Sequence, residues 1–213
     1  MKFGLLGTGN WGKHYVRLLP LFGELVIMNR KIDPSVDAVV IATPASTHFG
    51  YIKQALQADK HILVEKPMVL SSKEAREVKE LLGNKVFMVG HQYCYNDAIR
   101  EFINKPLKEI SLEHSISPEQ KDAYWEIAPH LFSVVDILKF EGKIKFKFYP
   151  SKEKVRVWKF DGVQMKEPMT EPLRNEIEHF IDCIENSKTP LTDIEHGLRV
   201  IKNMERHEAE YTM

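Results

Sequence analysis

Cysteine is scarce in this chain. Cys94 and Cys183 are the only two in 213 residues. They lie far apart and in no metal-type spacing, so neither a disulfide framework nor a thiolate metal site is expected. A reducing, cytoplasmic compartment is the simplest setting. Nine histidines are scattered without an H-E-x-x-H motif, so no metal site of that kind is expected either. Excess charge is also missing: Lys plus Arg and Asp plus Glu each number 30. That balance leaves no basic field for nucleic acid and no like-charge tail. No stretch approaches the ~20 apolar residues of a membrane span. The apolar run in MKFGLLGTGN is too short for a signal peptide. Internal repeats and low-complexity segments are absent as well. These absences leave a small-molecule or protein partner. A hydrophobic content of 43% is enough for one large or two small cores.

What is present is a rhythm. KFGLL (2–6), ELVIMN (24–29), DAVVIAT (37–43), HILVE (61–65) and VFMVG (86–90) read as strands. They are apolar throughout rather than alternating, which suits a parallel sheet buried on both faces. Helical spacing falls between them, over 11–19, 48–58 and 71–83. The last of these has Ser71 or Ser72 as its cap and Gly83 as its stop. Strand and helix in turn predict an α/β, doubly wound Rossmann-type domain over residues 1–93. The rhythm then changes. LKEISLEHS (107–115), IKFKFYP (144–150) and KVRVWKF (154–160) alternate, and residues 124–140, 172–186 and 193–210 look helical. This predicts a smaller α+β domain over 94–213 with an antiparallel sheet, its last two strands forming a hairpin.

The first strand runs into Gly7-Thr8-Gly9-Asn10-Trp11-Gly12, a G-x-G-x-x-G turn opening a helix. Gly7 permits the tight turn, Gly9 lets a pyrophosphate approach the backbone, and Gly12 lets helix and strand pack closely. The strand–turn–helix context makes a dinucleotide site the expected reading. An NAD site usually carries an acid about 20 residues on. Here that position is Asn29, followed by Arg30 and Lys31. A guanidinium there suits a 2′-phosphate, which favours NADP. Asp33, close by, keeps NAD open.

GLLGTGNWG, DAVVIATPASTH, LVEKPM, VFMVGHQYCYN and a C-terminal NEIEHFIDCIENSKTPLTDIEHGLRVIKNME occur in this order. Together they resemble the glucose–fructose oxidoreductase / inositol dehydrogenase / MocA family of NAD(P)-dependent oxidoreductases, over most of the first domain and the last ~40 residues. The resemblance explains why ILVEKPM (62–68), a core-like strand, ends in two charges and a proline. In the family that strand ends at the nicotinamide, where the substrate also sits. It implies Lys66 as a catalytic or substrate-orienting group, Glu65 as its partner or a cofactor contact, and Pro67 as the residue that fixes the chain. It also implies that Ala42, Thr43, Pro44 and His48 line the dinucleotide.

The chain departs from the family in several places. Only six residues separate Arg30 from Asp37, where the family has a helix and a further strand. The expectation is five parallel strands in the order 2-1-3-4-5. Cys94, expected as a packed thiol, stands where an arginine is usual, with Gln92, Tyr95 and Asn96 as candidate polar contacts. The family's D-x-x-x-H acid–base pair finds its nearest match in Glu126-Ile127-Ala128-Pro129-His130. Proline belongs in a helix's first turn, so Glu126 is expected at or just outside a helix start. The second sheet is short. Val155, Val157 and Phe160, with Trp158 opposite, predict an apolar face and hence a homodimer or higher oligomer.

Two functions follow. One is a hydride-transferring oxidoreductase acting on a secondary alcohol or ketone of a sugar-like or polyol substrate, with Lys66 and His130, aided by Glu126, handling the proton. The other is a dinucleotide-binding regulatory or assembly protein without turnover. Retention of Lys66 favours the enzyme.

Overall fold

The computed structural model describes residues 1–116, 123–151 and 155–211. Five strands form the first sheet: β1 (Lys2–Leu6), β2 (Glu24–Met28), β3 (Ala38–Ile41), β4 (His61–Glu65) and β5 (Phe87–Gly90). All pairs are parallel, in the order β2-β1-β3-β4-β5. Helices α1 (Gly12–Leu18), α2 (His48–Gln57) and α3 (Ser72–Leu81) connect them. Ser71 caps α3, its Oγ accepting from the Glu74 N–H at 3.2 Å. Successive side chains of a strand point to opposite faces. Val39, Ile41, Ile62, Val64 and Val89 enter one core with α2 and α3, while Ala38, Val40, Leu63 and Met88 enter another with α1. The edge strand β2 leaves Ile27 exposed. The short connection over residues 29–37 leads straight to β3, which is why the sheet stops at five.

The second half opens with a single-turn helix, α4 (Asp97–Arg100), then β6 (Glu109–Ile116), α5 (Ala123–Ile137), β7 (Lys143–Pro150), β8 (Arg156–Phe160) and β9 (Val163–Gln164). Two helices, α6 (Pro172–Glu185) and α7 (Ile194–Tyr211), end the chain. Both return to the first sheet. Leu173, Ile177 and Phe180 of α6 pack on the α1 face, and Ile194, Leu198 and Ile201 of α7 on the α2/α3 face. Asp136 of α5 ties α7 in place, accepting from Arg199 at 2.7 and 2.9 Å and meeting His196 Nδ1 at 2.7 Å.

The second sheet corrects two expectations. Its order is β7-β6-β8-β9, so β7 and β8 form no hairpin. β6 lies between them, parallel to β7 and antiparallel to β8, and the sheet is mixed. The unit β6-α5-β7 is a crossover, and a helical crossover joins parallel strands. Alternation within a strand does not say which strands are its neighbours. The predicted apolar face is also corrected. Trp158 and Phe160 are two residues apart, hence on the same face. They stack with centroids 6.3 Å apart and pack with Ile110, Leu112, Phe146 and α5. The opposite face is charged, with Lys145–Glu109 at 2.8 Å and Lys159–Glu113 at 3.4 Å.

Candidate active site

The turn from β1 to α1 is built as its glycines require. Gly7 has φ +93°, a conformation that side chains resist, and a Cβ there would lie 2.5 Å from the Ala42 carbonyl oxygen. A Cβ on Gly12 would collide with the Gly7 carbonyl. Gly9 differs: nothing lies within 4 Å of where its Cβ would stand. Thr8, Gly9 and Asn10 are exposed around this open space. A diphosphate therefore has free access to the backbone, and the turn fits a dinucleotide.

Asn29, Arg30 and Lys31 are exposed just past β2. Asp33 is turned to its own loop, its Oδ1 accepting from Ser35 N at 2.8 Å and Ser35 Oγ at 2.7 Å. Those bonds hold its carboxyl below the usual range. Arg30 and Lys31 stand exposed at this end of the sheet, with no ion pair among the described residues.

At the carboxyl ends of the strands lies a cavity of about 280 Å³. Trp11, Ala42, Thr43 and Pro44 line one side, and Gln92, Glu126, His130 and Arg156 line the other, with Glu65, Lys66 and Pro67 between. Lys66 Nζ donates to the Glu126 carbonyl at 2.8 Å and to Glu126 Oε2 at 3.2 Å. Glu126 stands in the first turn of α5. Pro129, however, lies inside the helix, which corrects the expectation that it marks the helix start. Proline withholds the N–H that Trp125's carbonyl would accept, and the next carbonyl along, that of Glu126, accepts from Lys66.

His130 lines the cavity while 6% exposed. Its ring meets Tyr93 edge-on at 4.9 Å, and its Nδ1 is buried without a partner. Burial, reinforced by the charges of Lys66 and Arg156, holds its pKa well below the ordinary histidine value. The imidazole is neutral at pH 7, and the same burial and charges oppose the imidazolium, so any proton it accepts is passed on rather than kept.

Beneath the cavity is a buried acid pair that sequence reasoning missed. Glu65 Oε1 accepts from the Tyr15 hydroxyl at 2.7 Å and also from the Trp11 indole. The same hydroxyl lies 3.3 Å from Glu176 Oε1 on α6. Tyr15 has one proton to give, and the shorter bond takes it. Glu176 must then supply the proton of the longer contact, which makes it the neutral acid. Burial, followed by the charge of Glu65, pushes Glu176 well above the usual carboxyl range. Burial also raises Glu65, opposed by Tyr15, Lys66 and Trp11. A raised pKa means that stability is fully present below the unfolded value of ~4.5 and is lost as pH rises through the folded value. Glu176→Gln keeps a neutral donor toward Tyr15 and removes that loss. Thermal melts from pH 5 to 8 are expected to show the variant melting higher at pH 8, by about 2–4 °C for each ~1 kcal/mol recovered. The gain should shrink toward pH 5; an equal shift at every pH would contradict the proton assignment.

The remaining candidates divide. His48 is buried behind the cavity wall, with Nδ1 2.9 Å from the Pro67 carbonyl and Nε2 2.7 Å from that of Thr43. It braces the β3 and β4 loops and does not line the cavity. The Lys66–Pro67 peptide is cis. Gln92 reaches the cavity. Tyr95 instead meets Thr192 Oγ1 at 2.9 Å, and Asn96 caps α4 by accepting from Ala98 N at 3.0 Å. Cys94 is fully buried, and burial pushes its thiol up. Arg156 was not anticipated, although it shares the covered strand face with Trp158 and Phe160.

Residues 27–93 match the family model described as "Oxidoreductase family, NAD-binding Rossmann fold". scyllo-Inositol 2-dehydrogenase (NAD(+)) of Bacillus subtilis is 48% identical over 85 residues, 35% of this chain and 25% of that protein. The NADP(+) enzyme of the same name and organism is 32% identical over 84 residues, 38% and 23%. UDP-N-acetylglucosamine 3-dehydrogenase of Acidithiobacillus ferrooxidans is 43% identical over 124 residues, 47% and 40%. A crystal structure of that last enzyme superposes with a TM-score of 0.84 at 18% identity, covering 97% of this chain and 96% of the other. The chain thus spans between 23% and 40% of the length of these curated relatives. Residues 27–93 are thus similar to the NAD-binding Rossmann fold of that oxidoreductase family, and the fold of the chain is the one seen in these dehydrogenases.

Proposed function

We propose that this protein is an NAD(P)-dependent oxidoreductase acting on a secondary alcohol, or the corresponding ketone, of a sugar-like or polyol substrate. The observation that carries this reading is the meeting of Lys66, Glu126 and His130 on one cavity beside the open glycine turn. Residues 1–93 hold the dinucleotide, and residues 94–213 supply the substrate side; the apolar sheet face that would call for a second copy is covered by α5. The turn over residues 7–12 receives the diphosphate, and Arg30 receives a 2′-phosphate, which makes NADP the preferred form. A bound nicotinamide supplies the hydride acceptor or donor. His130, neutral and lining the cavity, takes the proton of the substrate hydroxyl on its Nε2, the ring nitrogen other than the buried Nδ1. Lys66 Nζ donates a hydrogen bond to the same oxygen, and Glu126 positions Nζ through the 3.2 Å ion pair. The cavity, at about 280 Å³, lies just below the usual range of about 300–1,000 Å³. That suits a single ring such as those of inositol and sugar relatives.

The test is turnover: nicotinamide absorbance followed with NADP⁺ and NAD⁺ against a panel of polyols and sugars, with Lys66→Met as control. Lys66-dependent reduction is expected. Dinucleotide binding without turnover on any substrate would favour the regulatory reading.

A further inference from the structure

The cavity wall carries a positive charge that the proposed proton chemistry does not use. Arg156 begins β8 and faces the cavity across from Lys66. Lys66 is matched by Glu126, and the acid beneath the cavity, Glu65, is taken up by Tyr15 and Trp11. Arg17, Arg174 and Arg199 each meet a carboxylate. Arg156 meets none. Its guanidinium lies over the Tyr93 ring, 5.4 Å from the centroid, and donates from Nη1 to the Tyr93 hydroxyl. Tyr93 in turn packs against His130 and Trp158, with ring centroids 4.9 and 5.5 Å away. The nearby His114 is pushed down to about 4 by burial and then by Arg156 itself, so it is neutral at pH 7 and adds no second positive charge there.

A guanidinium fixed by a neutral phenol keeps its charge and its other N–H donors for something else. Its planar fork matches two oxygens of a carboxylate or phosphate. Because its position is already held by stacking, little ordering cost remains when an anion arrives. Electrostatic balance points the same way: the two carboxylates on the cavity, Glu126 and Glu65, are taken up by Lys66, Tyr15 and Trp11, and a guanidinium left over on the wall is complementary to a negatively charged ligand.

We propose that Arg156 selects an anionic substrate, a sugar acid or sugar phosphate whose charged group sits against this guanidinium while its hydroxyl lies between Lys66 and His130. The inference rests on the oxidoreductase reading for the hydroxyl's position, but anion binding itself can be measured without turnover. The probes are gluconate and glucose 6-phosphate, with myo-inositol as the neutral comparison. Binding is followed calorimetrically, with and without saturating NADPH, at low and high salt. The wild-type protein is expected to bind at least one anion more tightly than myo-inositol. Arg156→Gln should weaken that anion about tenfold or more, and Arg156→Lys should restore part of the loss. Myo-inositol and NADPH should bind both variants as they bind wild type. Whether gluconate or glucose 6-phosphate responds identifies the anion as carboxylate or phosphate. If no anion binds more tightly than the neutral probe, the proposal is overturned. It is also overturned if Arg156→Gln weakens NADPH instead, since the guanidinium then serves the dinucleotide. Failure of NADPH to bind wild type bears on the oxidoreductase reading and leaves the anion comparison readable in its absence.

Discussion

Lys66→Met is expected to lower turnover by about 10²–10⁴-fold, the usual worth of a positioned proton-handling group, while leaving dinucleotide affinity within a few-fold of wild type. The reasoning is geometric. Lys66 Nζ is held by two bonds to Glu126, at 2.8 and 3.2 Å, on the wall that His130 shares. Methionine fills similar space without a donor or a charge, so packing survives and the substrate oxygen loses its hydrogen bond. An effect on kcat with little on dinucleotide binding separates a chemical role from a structural one. Turnover within tenfold of wild type would remove Lys66 from the mechanism and leave the ion pair with Glu126 as a link between the two halves of the chain.

The second large effect falls on the glycine turn, where fold and binding come apart. Gly9→Ala is expected to melt within about 1–2 °C of wild type but to weaken dinucleotide binding tenfold or more. Its Cβ would stand in open space, and its φ is not in the left-handed region, so the folded chain has no reason to resist the methyl group. A diphosphate drawn against that backbone would meet it directly. Gly7→Ala provides the contrast: at φ +93° and 2.5 Å from the Ala42 carbonyl oxygen, it should lose stability and binding together. Calorimetric titration paired with thermal melts reads both. Undiminished binding by Gly9→Ala would mean that no phosphate approaches there.

The first sheet was legible because each of its strands announces itself locally. Apolar runs of four or five residues, broken by capped helices, allow few arrangements, and the short stretch after Arg30 leaves no room for a sixth strand. The meeting of Lys66, Glu126 and His130 was legible through the family motif. Long-range placement was not. Strict alternation in IKFKFYP and KVRVWKF says which residues share a face but not that β6 would come between the two strands. Had the period of two been applied to KVRVWKF, it would have put Trp158, Phe160 and Arg156 together and pointed Arg156 toward α5. The Glu65–Tyr15–Glu176 chain spans 161 residues between Tyr15 and Glu176. No local pattern marks a glutamate in an amphipathic helix as the one that stays protonated. The return of α6 and α7 to the first sheet was hidden for the same reason: their apolar stripes show that something covers them, not what.

The account rests most directly on a dinucleotide occupying the glycine turn and the cavity beyond it. Separate titrations with NADPH and NADH, followed through tryptophan fluorescence with Trp11 on the cavity wall, measure that occupancy. The account predicts saturable binding of both, tighter for NADPH because it assigns the exposed Arg30, just past β2, to a 2′-phosphate. Folded protein, free of retained nucleotide, that binds neither would contradict it.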